Sequence, residues 1–255
     1  MHDYDLIAPF YDSEHGQFSE DLDMYRNFAE LSGDMGGAML ELACGSGRVL
    51  LPLAREGHEL TGVDTSAHML HLARQRLQDA RVAARCTLVQ QDITALHLGR
   101  TFRMAFIALG SFAHLTARKQ QQQALAAIRA HLSTGAIFIL DLSNADARYM
   151  ESMSGQVLHQ GTWKRDDGTL LTHFVSPASS QAQHLLELTH FYDQHRQGGA
   201  VQRTIVTTQF YLFERAETEL LLEQAGFVNK EVYGDYELSP YQLESPRMIF
   251  IAEAK

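Results

Sequence analysis

A glycine-rich turn between acidic residues is the part of the sequence best suited to hold a ligand. Residues 41–47, Glu-Leu-Ala-Cys-Gly-Ser-Gly, follow a short apolar run and precede a helical pattern. Glycine lets the backbone turn tightly and approach a ligand without a Cβ in the way, and a helix presents free N–H groups at its start. Asp64 ends the next apolar run, where a carboxylate can accept both hydroxyl hydrogens of a ribose. The pattern predicts a nucleoside-binding site.

Two cofactor classes fit this outline. A dinucleotide-binding turn has the spacing Gly-x-Gly-x-x-Gly, and here the third position is Leu50 rather than glycine. Glu41 suits a cationic ligand better than a diphosphate, and S-adenosylmethionine carries both a sulfonium and an ammonium group. The residues therefore favour S-adenosylmethionine, and a nicotinamide dehydrogenase that binds NAD is the alternative.

The turn resembles the first motif of the class I S-adenosylmethionine-dependent methyltransferases, which reads Asp/Glu-x-Gly-x-Gly-x-Gly. This sequence has Ala43 in place of the first glycine, a small residue, and then Gly45 and Gly47. The similarity continues through residues 62–70, 91–93 and 108–112, in the order and at the spacing of that family. The resemblance implies a methyltransferase that uses S-adenosylmethionine and releases S-adenosylhomocysteine.

The resemblance also implies roles for individual residues. Asp64 would bind the ribose, Met69 would lie against the adenine, and Asp92 would accept a hydrogen bond from the adenine amino group. The backbone near Leu109 would face the methionine moiety, and Tyr11 belongs to an aromatic leader that either covers the cofactor or packs on the core. The residues implied for cofactor binding are Tyr11, Glu41, Ala43, Gly45, Gly47, Asp64, Thr65, Met69, Asp92, Ile93 and Leu109.

The elements that must position these residues alternate between strand and helix. Such alternation predicts a doubly wound, Rossmann-like α/β fold, here with a mostly parallel sheet of seven strands. Ser66 and Thr116 are predicted to cap two of the helices, and Gly226 to end another. The predicted strands are Ala38–Ala43, Glu59–Asp64, Cys86–Gln90, Met104–Leu109, Ala136–Leu142, Val228–Tyr236 and Met248–Ala254.

An antiparallel β insert is predicted after the fifth strand. Between residues 155 and 214 the helical periodicity is weak, and turn residues at 166–168 and 197–199 each separate two β-rich stretches. We therefore divide the chain into a cofactor-binding core, 1–150 with 215–255, and an insert, 151–214. Similar inserts in small-molecule methyltransferases imply a lid over the acceptor site or an element that builds a homodimer.

Composition excludes several other classes. The 255 residues carry 21 Lys+Arg and 31 Asp+Glu, and the net charge of −10 opposes a nucleic-acid partner. No apolar run approaches the length of a membrane span, and two isolated cysteines without a secretory signal favour the cytoplasm. Although there are 13 histidines, no third ligand joins His68 and His71 at a convincing spacing, so no metal site is expected.

The predicted function is methyl transfer to a small molecule through an amine or hydroxyl group. Methyl transfer from a sulfonium depends mainly on alignment and exclusion of water, so a dedicated base is needed only when the acceptor arrives protonated. His114 follows the fourth strand, where the acceptor is expected to approach, and it is the candidate for a base or orienting group. A non-catalytic S-adenosylmethionine-binding sensor or partner subunit is the alternative function.

Overall fold

The computed structural model describes residues 3–33, 37–144, 153–165, 167–180, 184–196 and 198–255. Two compact units divide the chain. One comprises residues 1–18 and 145–212, and the other comprises residues 19–144 and 213–255. Asp166 and Gln197 of the two predicted turns, and the predicted boundary between residues 150 and 151, lie outside the described residues.

The larger unit is an α/β unit built on a seven-stranded sheet, as predicted. Its strand order is β10-β11-β5-β4-β1-β2-β3, in which β11 runs antiparallel to both β10 and β5 and the remaining neighbours pair in parallel. The strands are β1 Met39–Leu42, β2 Leu60–Asp64, β3 Cys86–Gln90, β4 Phe102–Ile107, β5 Leu132–Ser143, β10 Phe227–Tyr233 and β11 Arg247–Ala254. The helices are α2 Leu22–Gly33, α3 Leu50–Arg55, α4 Ala67–Asp79, α5 Arg118–Ala130 and α6 Arg215–Gln224.

The strand order reverses between β1 and β4. From β1 the chain first adds β2 and β3 on one side, and then β4 and β5 on the other. In open α/β sheets, ligands bind beyond the carboxyl ends of the strands at such a switch point. The strands β1 and β4 are fully buried, and their residues are apolar except for Glu41 and Arg103, as expected for strands covered on both faces.

Several predicted boundaries differ from the structure for local reasons. The first strand ends at Leu42 because Ala43 has a φ of +54°, which is incompatible with a strand. The prediction that Thr116 caps α5 is wrong, since the helix begins at Arg118 and Ala117 is its cap residue. Ser66 does cap α4, where its hydroxyl accepts a hydrogen bond from the Met69 N–H at 3.1 Å.

The smaller unit joins α1 (Asp3–His15) to a four-stranded antiparallel sheet. Its strands, β6 Leu158–Lys164, β7 Leu170–Ser180, β8 Leu185–His195 and β9 Gln202–Tyr211, pair in sequence order. The core of this unit contains Ile7 and Phe10 from α1 together with Leu171, Tyr192 and Val206 from the sheet. The aromatic leader was not predicted to be helical. Across the described parts of both units, no helix is long and apolar enough to cross a membrane.

Candidate active site

The turn after β1 adopts the backbone conformation that its glycines allow. Ala43, Gly45 and Gly47 have φ values of +54°, +52° and +76°. A Cβ built on Gly47 would lie 3.2 Å from the Cβ of Ala73, so α4 packs directly against this turn. Glycine is therefore required at Gly47 for two reasons, its left-handed backbone and its lack of a side chain.

Asp64, at the end of β2, is held by two backbone N–H groups. Its Oδ2 accepts a hydrogen bond from Gly45 and its Oδ1 from Ser66, each at 2.8 Å. The first of these bonds joins the glycine turn to the second strand, as a nucleoside site requires. A carboxylate fixed in this way presents oxygen acceptors, which are the groups that a ribose hydroxyl needs.

Glu41 is a buried carboxyl group within β1, directly before the turn. It is 2 % exposed, and its Oε2 has no hydrogen-bond partner among the described residues. Burial raises the pKa of Glu41 well above its usual range, and the nearby positive charge of Arg48 only partly opposes this. Arg48 itself is bound to Asp21 through two hydrogen bonds of 2.6 Å. A buried carboxyl with an unpaired oxygen is suited to a cationic ligand group.

The turn after β3 contains two of the predicted residues. Asp92 is exposed and caps a short 3₁₀ turn, where its Oδ1 accepts hydrogen bonds from the Thr94 N–H and hydroxyl, both at 2.8 Å. Ile93 is buried at the same place. Met69, in the first turn of α4, is also buried. Thr65 is half-buried, and its carbonyl accepts a hydrogen bond from the Gln90 side chain.

The end of β4 is a turn in which two consecutive residues are left-handed. Leu109 has a φ of +50° and Gly110 a φ of +73°. The Leu109 N–H donates a hydrogen bond to the Asp141 side chain at 2.9 Å, and the Gly110 N–H donates one to the Asp141 carbonyl at 3.0 Å. The next residues form the 3₁₀ turn Ser111–His114, so the half-buried His114 lies beyond the same strand end.

The parallel strands bring most of the predicted residues to one sheet edge, since β3, β2, β1 and β4 are adjacent and end at the same side. Residues on or next to these strand ends are Glu41, Ala43, Gly45, Gly47, Asp64, Thr65, Asp92, Ile93 and Leu109. Tyr11 belongs to α1 in the other unit, where its ring lies 4.7 Å from that of His15. A contact between Tyr11 and the cofactor remains a prediction.

Sequence reasoning missed the buried charged residues behind this edge. Asp21 and Arg48 form a buried ion pair in which Asp21 is 0 % and Arg48 8 % exposed. Asp141 lies in β5 and binds Arg247, the first residue of β11. A lone aspartate inside an otherwise apolar strand was the available signal, because a buried carboxylate requires a partner.

The residues at this edge fit S-adenosylmethionine. Asp64 ends β2 and Asp92 follows β3 at the edge where the ribose and adenine are predicted to lie, and the unpaired oxygen of Glu41 suits a positive charge. Comparison with known proteins agrees with this interpretation. Residues 39–135 match the family model described as a methyltransferase domain. The chain therefore contains a methyltransferase domain, and it is an S-adenosylmethionine-dependent methyltransferase.

Three relatives illustrate the similarity. The dTDP-3-amino-3,4,6-trideoxy-alpha-D-glucopyranose N,N-dimethyltransferase of Streptomyces venezuelae is 31% identical over 104 residues, which are 41% of each chain. The cypemycin N-terminal methyltransferase of a Streptomyces species is 26% identical over 226 residues, 86% of this chain and 83% of that protein. The crystal structure of an S-adenosylmethionine-dependent methyltransferase from Clostridium acetobutylicum ATCC 824 superposes with a TM-score of 0.81 at 16% identity, covering 99% of both chains.

Proposed function

We propose that this enzyme transfers a methyl group from S-adenosylmethionine to an amine on a small molecule. The observation that carries the proposal is the pair of carboxyl groups at the switch point, Asp64 held by two backbone amides at the end of β2 and Glu41 with a buried oxygen that has no partner among the described residues. When bound, S-adenosylmethionine supplies an electrophilic methyl group on a positively charged sulfur. Asp64 then binds the ribose, and Glu41 stabilises the positive end of the cofactor.

The acceptor class is inferred from chemistry and from the relatives. Of the two relatives compared by sequence, one is named as an N,N-dimethyltransferase of an amino sugar and the other as an N-terminal methyltransferase. The net charge of −10 disfavours polyanionic acceptors and is compatible with a small amine. A hydroxyl group on a small molecule is the second candidate for the methyl acceptor. The non-catalytic sensor gains no support, since each of the three relatives is named as a methyltransferase.

We propose His114 as the residue that orients the amine or accepts its proton. An amine attacks the methyl carbon only through its lone pair, so an ammonium acceptor must first lose a proton. Histidine changes its charge near neutral pH, and His114 lies in the turn that follows β4. In this proposal the antiparallel unit, predicted as residues 151–214, supplies contacts to the acceptor. A homodimer through that unit remains a prediction.

We further propose that the enzyme works in a reducing compartment such as the cytoplasm. Both cysteines, Cys44 and Cys86, are free thiols. Burial raises the pKa of each thiol, that of Cys86 to about 11, which keeps them protonated and unreactive.

The proposal is tested with matched acceptors and a labelled donor. The enzyme is incubated with trideuteromethyl S-adenosylmethionine and with pairs of small molecules that differ only in an amine or a hydroxyl, amino sugar nucleotides and short peptides among them. Mass spectrometry then reports which member gains label. Label on amines alone is the expected result. Label on hydroxyls alone would overturn the amine assignment, and S-adenosylhomocysteine production with no labelled member would exclude both tested acceptor groups.

The donor site is tested separately through Asp64→Ala. Loss of a charged hydrogen-bond acceptor typically costs about 1.5–3 kcal/mol, so we expect the Kd for S-adenosylmethionine to rise by about ten- to a hundredfold. Asp79→Ala is the matched control, because Asp79 is an exposed aspartate at the end of α4. If calorimetry gives the same Kd for S-adenosylmethionine in both variants, Asp64 does not contribute to cofactor binding.

A further inference from the structure

Asp141 links β5 to the turn that follows β4. It is fully buried and uses both its backbone and its side chain toward that turn. The carbonyl accepts the Gly110 N–H at 3.0 Å, and Oδ2 accepts the Leu109 N–H at 2.9 Å. Two adjacent amides of the turn are therefore fixed by one residue of the neighbouring strand.

The turn needs this support because its backbone is strained. Leu109 is a bulky residue with a φ of +50°, a region that is unfavourable for a residue with a Cβ. Such conformations persist only where surrounding contacts enforce them, and they concentrate at functional sites. Leu109 is half-buried at the switch point, beside the strand that carries Glu41. The strain is thus located where the cofactor site is proposed.

Asp141 is itself held by Arg247, the first residue of β11, and by Tyr236, in the connection between β10 and β11. The Arg247 Nε donates a hydrogen bond to Oδ1 at 2.5 Å, and the Tyr236 hydroxyl donates one to Oδ2 at 3.1 Å. The Arg247 guanidinium also lies over the Tyr236 ring, 5.0 Å from its centroid. Burial raises the pKa of Asp141, and the charge and hydrogen bond of Arg247 oppose that rise. Each member of the set therefore restrains the others.

We propose that Asp141, Tyr236 and Arg247 are positioning residues that hold the Leu109–Gly110 turn in the shape that binds the methionine end of S-adenosylmethionine. None of the three needs to touch the cofactor, because the effect passes through the amides of the turn. The inference rests on the proposed cofactor site, in which the backbone at Leu109 faces the methionine moiety. It assigns a role in donor binding to a strand far from the glycine motif in sequence.

The most selective test is Tyr236→Phe, which removes one hydrogen bond to Asp141 and keeps the ring beneath Arg247. Tyr241→Phe is the matched control, since Tyr241 lies in the same connection and its hydroxyl is 3.5 Å from the Asn144 side-chain oxygen. Loss of one hydrogen bond to a carboxylate predicts a roughly threefold to tenfold rise in the KM and Kd for S-adenosylmethionine. The kcat at saturating cofactor stays within about twofold, because the reacting groups are unaltered.

A readout at the turn separates positioning from general stability. We expect amide hydrogen exchange at Leu109 and Gly110 to accelerate in Tyr236→Phe, while exchange in the strands β1 and β2 stays unchanged. Asp141→Asn, which keeps an acceptor oxygen and loses the charge, is expected to show a larger effect on the same amides. If Asp141→Asn does not fold, Tyr236→Phe alone decides the question.

The outcomes distinguish this inference from the proposed function. A wild-type enzyme that binds neither S-adenosylmethionine nor S-adenosylhomocysteine would contradict the proposed function. If the wild type binds and Tyr236→Phe binds equally well, or if Tyr236→Phe lowers the melting temperature without changing the Kd, the positioning role is overturned. A rise in Kd matched by Tyr241→Phe would also overturn it, because the effect would then not depend on Asp141.

Discussion

At the scale of single residues, the site combines carboxyl groups in different states. Asp64 is fixed by backbone amides in an acceptor geometry, whereas Glu41 is buried with one oxygen unpaired. A shifted pKa at a buried carboxyl in a ligand crevice is typical of functional residues. The consequences for binding and catalysis can be tested one side chain at a time.

The raised pKa of Glu41 predicts that cofactor affinity depends on pH. A cationic ligand favours the ionised carboxyl, so a protonated Glu41 must lose its proton on binding. The affinity for S-adenosylmethionine is therefore expected to increase as pH rises, with proton release at the lower pH values. Calorimetry in buffers of different ionisation enthalpy measures that release. Glu41→Gln is the comparison, and an equal proton release in this variant would contradict the role of Glu41.

His114 is expected to affect catalysis more than cofactor binding. His114→Gln cannot accept a proton from an ammonium acceptor, so kcat is predicted to fall by about a hundredfold, within the range for loss of a general base. The Kd for S-adenosylhomocysteine should change little, because the cofactor contacts proposed above do not involve the imidazole. Steady-state kinetics across pH check this expectation. Full activity of the variant with an ammonium-form acceptor would exclude His114 as the base.

At the scale of secondary-structure elements, close packing positions the glycine turn. Gly47 is left-handed and in contact with α4, whereas Gly57, after α3, is left-handed with no atom within 4 Å of a built Cβ. Gly57→Ala therefore measures the backbone cost alone. Gly47→Ala is expected to destabilise the protein by about 1 kcal/mol more than Gly57→Ala, because it also crowds Ala73. Urea unfolding compares the two, and equal losses would contradict packing between the turn and α4.

A second element-scale feature ties α1 to the antiparallel sheet. Glu14 Oε1 lies 3.1 Å from His173 Nδ1, and His173 Nε2 lies 3.0 Å from His190 Nδ1. His190 Nε2 in turn lies 2.8 Å from the Thr208 hydroxyl oxygen. Burial acts to raise the pKa of Glu14, but the hydrogen bond with His173 and the charges of nearby histidines outweigh it. The pKa of Glu14 is therefore below its usual range, and the ionised form stabilises the fold.

This depressed pKa predicts a pH-dependent stability difference. The contribution of Glu14 is fully present above the pKa of the unfolded chain and is lost as pH falls through the lower folded pKa. Glu14→Gln should lower the free energy of unfolding by about 1–2 kcal/mol at neutral pH, and the gap to wild type should narrow in acid. Denaturant unfolding at several pH values measures the gap. Glu187→Gln on β8 is the control. If the difference in unfolding free energy between Glu14→Gln and wild type does not change with pH, the pKa of Glu14 does not contribute to stability as proposed.

At the scale of the whole molecule, the negative net charge bears on the choice of acceptor. With a net charge of −10, polyanions are repelled on average. At low salt, the rate of methyl transfer to a small amine with heparin is therefore expected to lie within about twofold of the rate without heparin. Strong inhibition that is relieved by salt would reveal a basic surface, and would reopen the question of a polyanionic acceptor.

Much of the fold and part of the site were accessible from the sequence. Periodicity identified the parallel strands, because each is a short apolar run followed by a helix. The glycine turn with Asp64 indicated the sheet edge at which we propose that the cofactor binds. The α1 helix was missed because Pro9 lies inside it and its buried face is completed by another segment of chain. The contacts of Asp141 with Arg247 were also missed, since they join residues 106 positions apart and no local pattern encodes such a pairing.

The position of Arg247 in the chain has a consequence for synthesis. Translation delivers the glycine turn, Asp64 and Asp141 long before β11, and domains acquire their structure as the chain emerges. Until residue 247 has left the ribosome, Asp141 lacks its contact with the Arg247 guanidinium. The turn after β4 is then held by an Asp141 that is not itself fixed by Arg247. A nascent chain can therefore assemble most of its sheet before Arg247 reaches Asp141, so under the proposed positioning role the donor crevice is finished only once β11 has been synthesised.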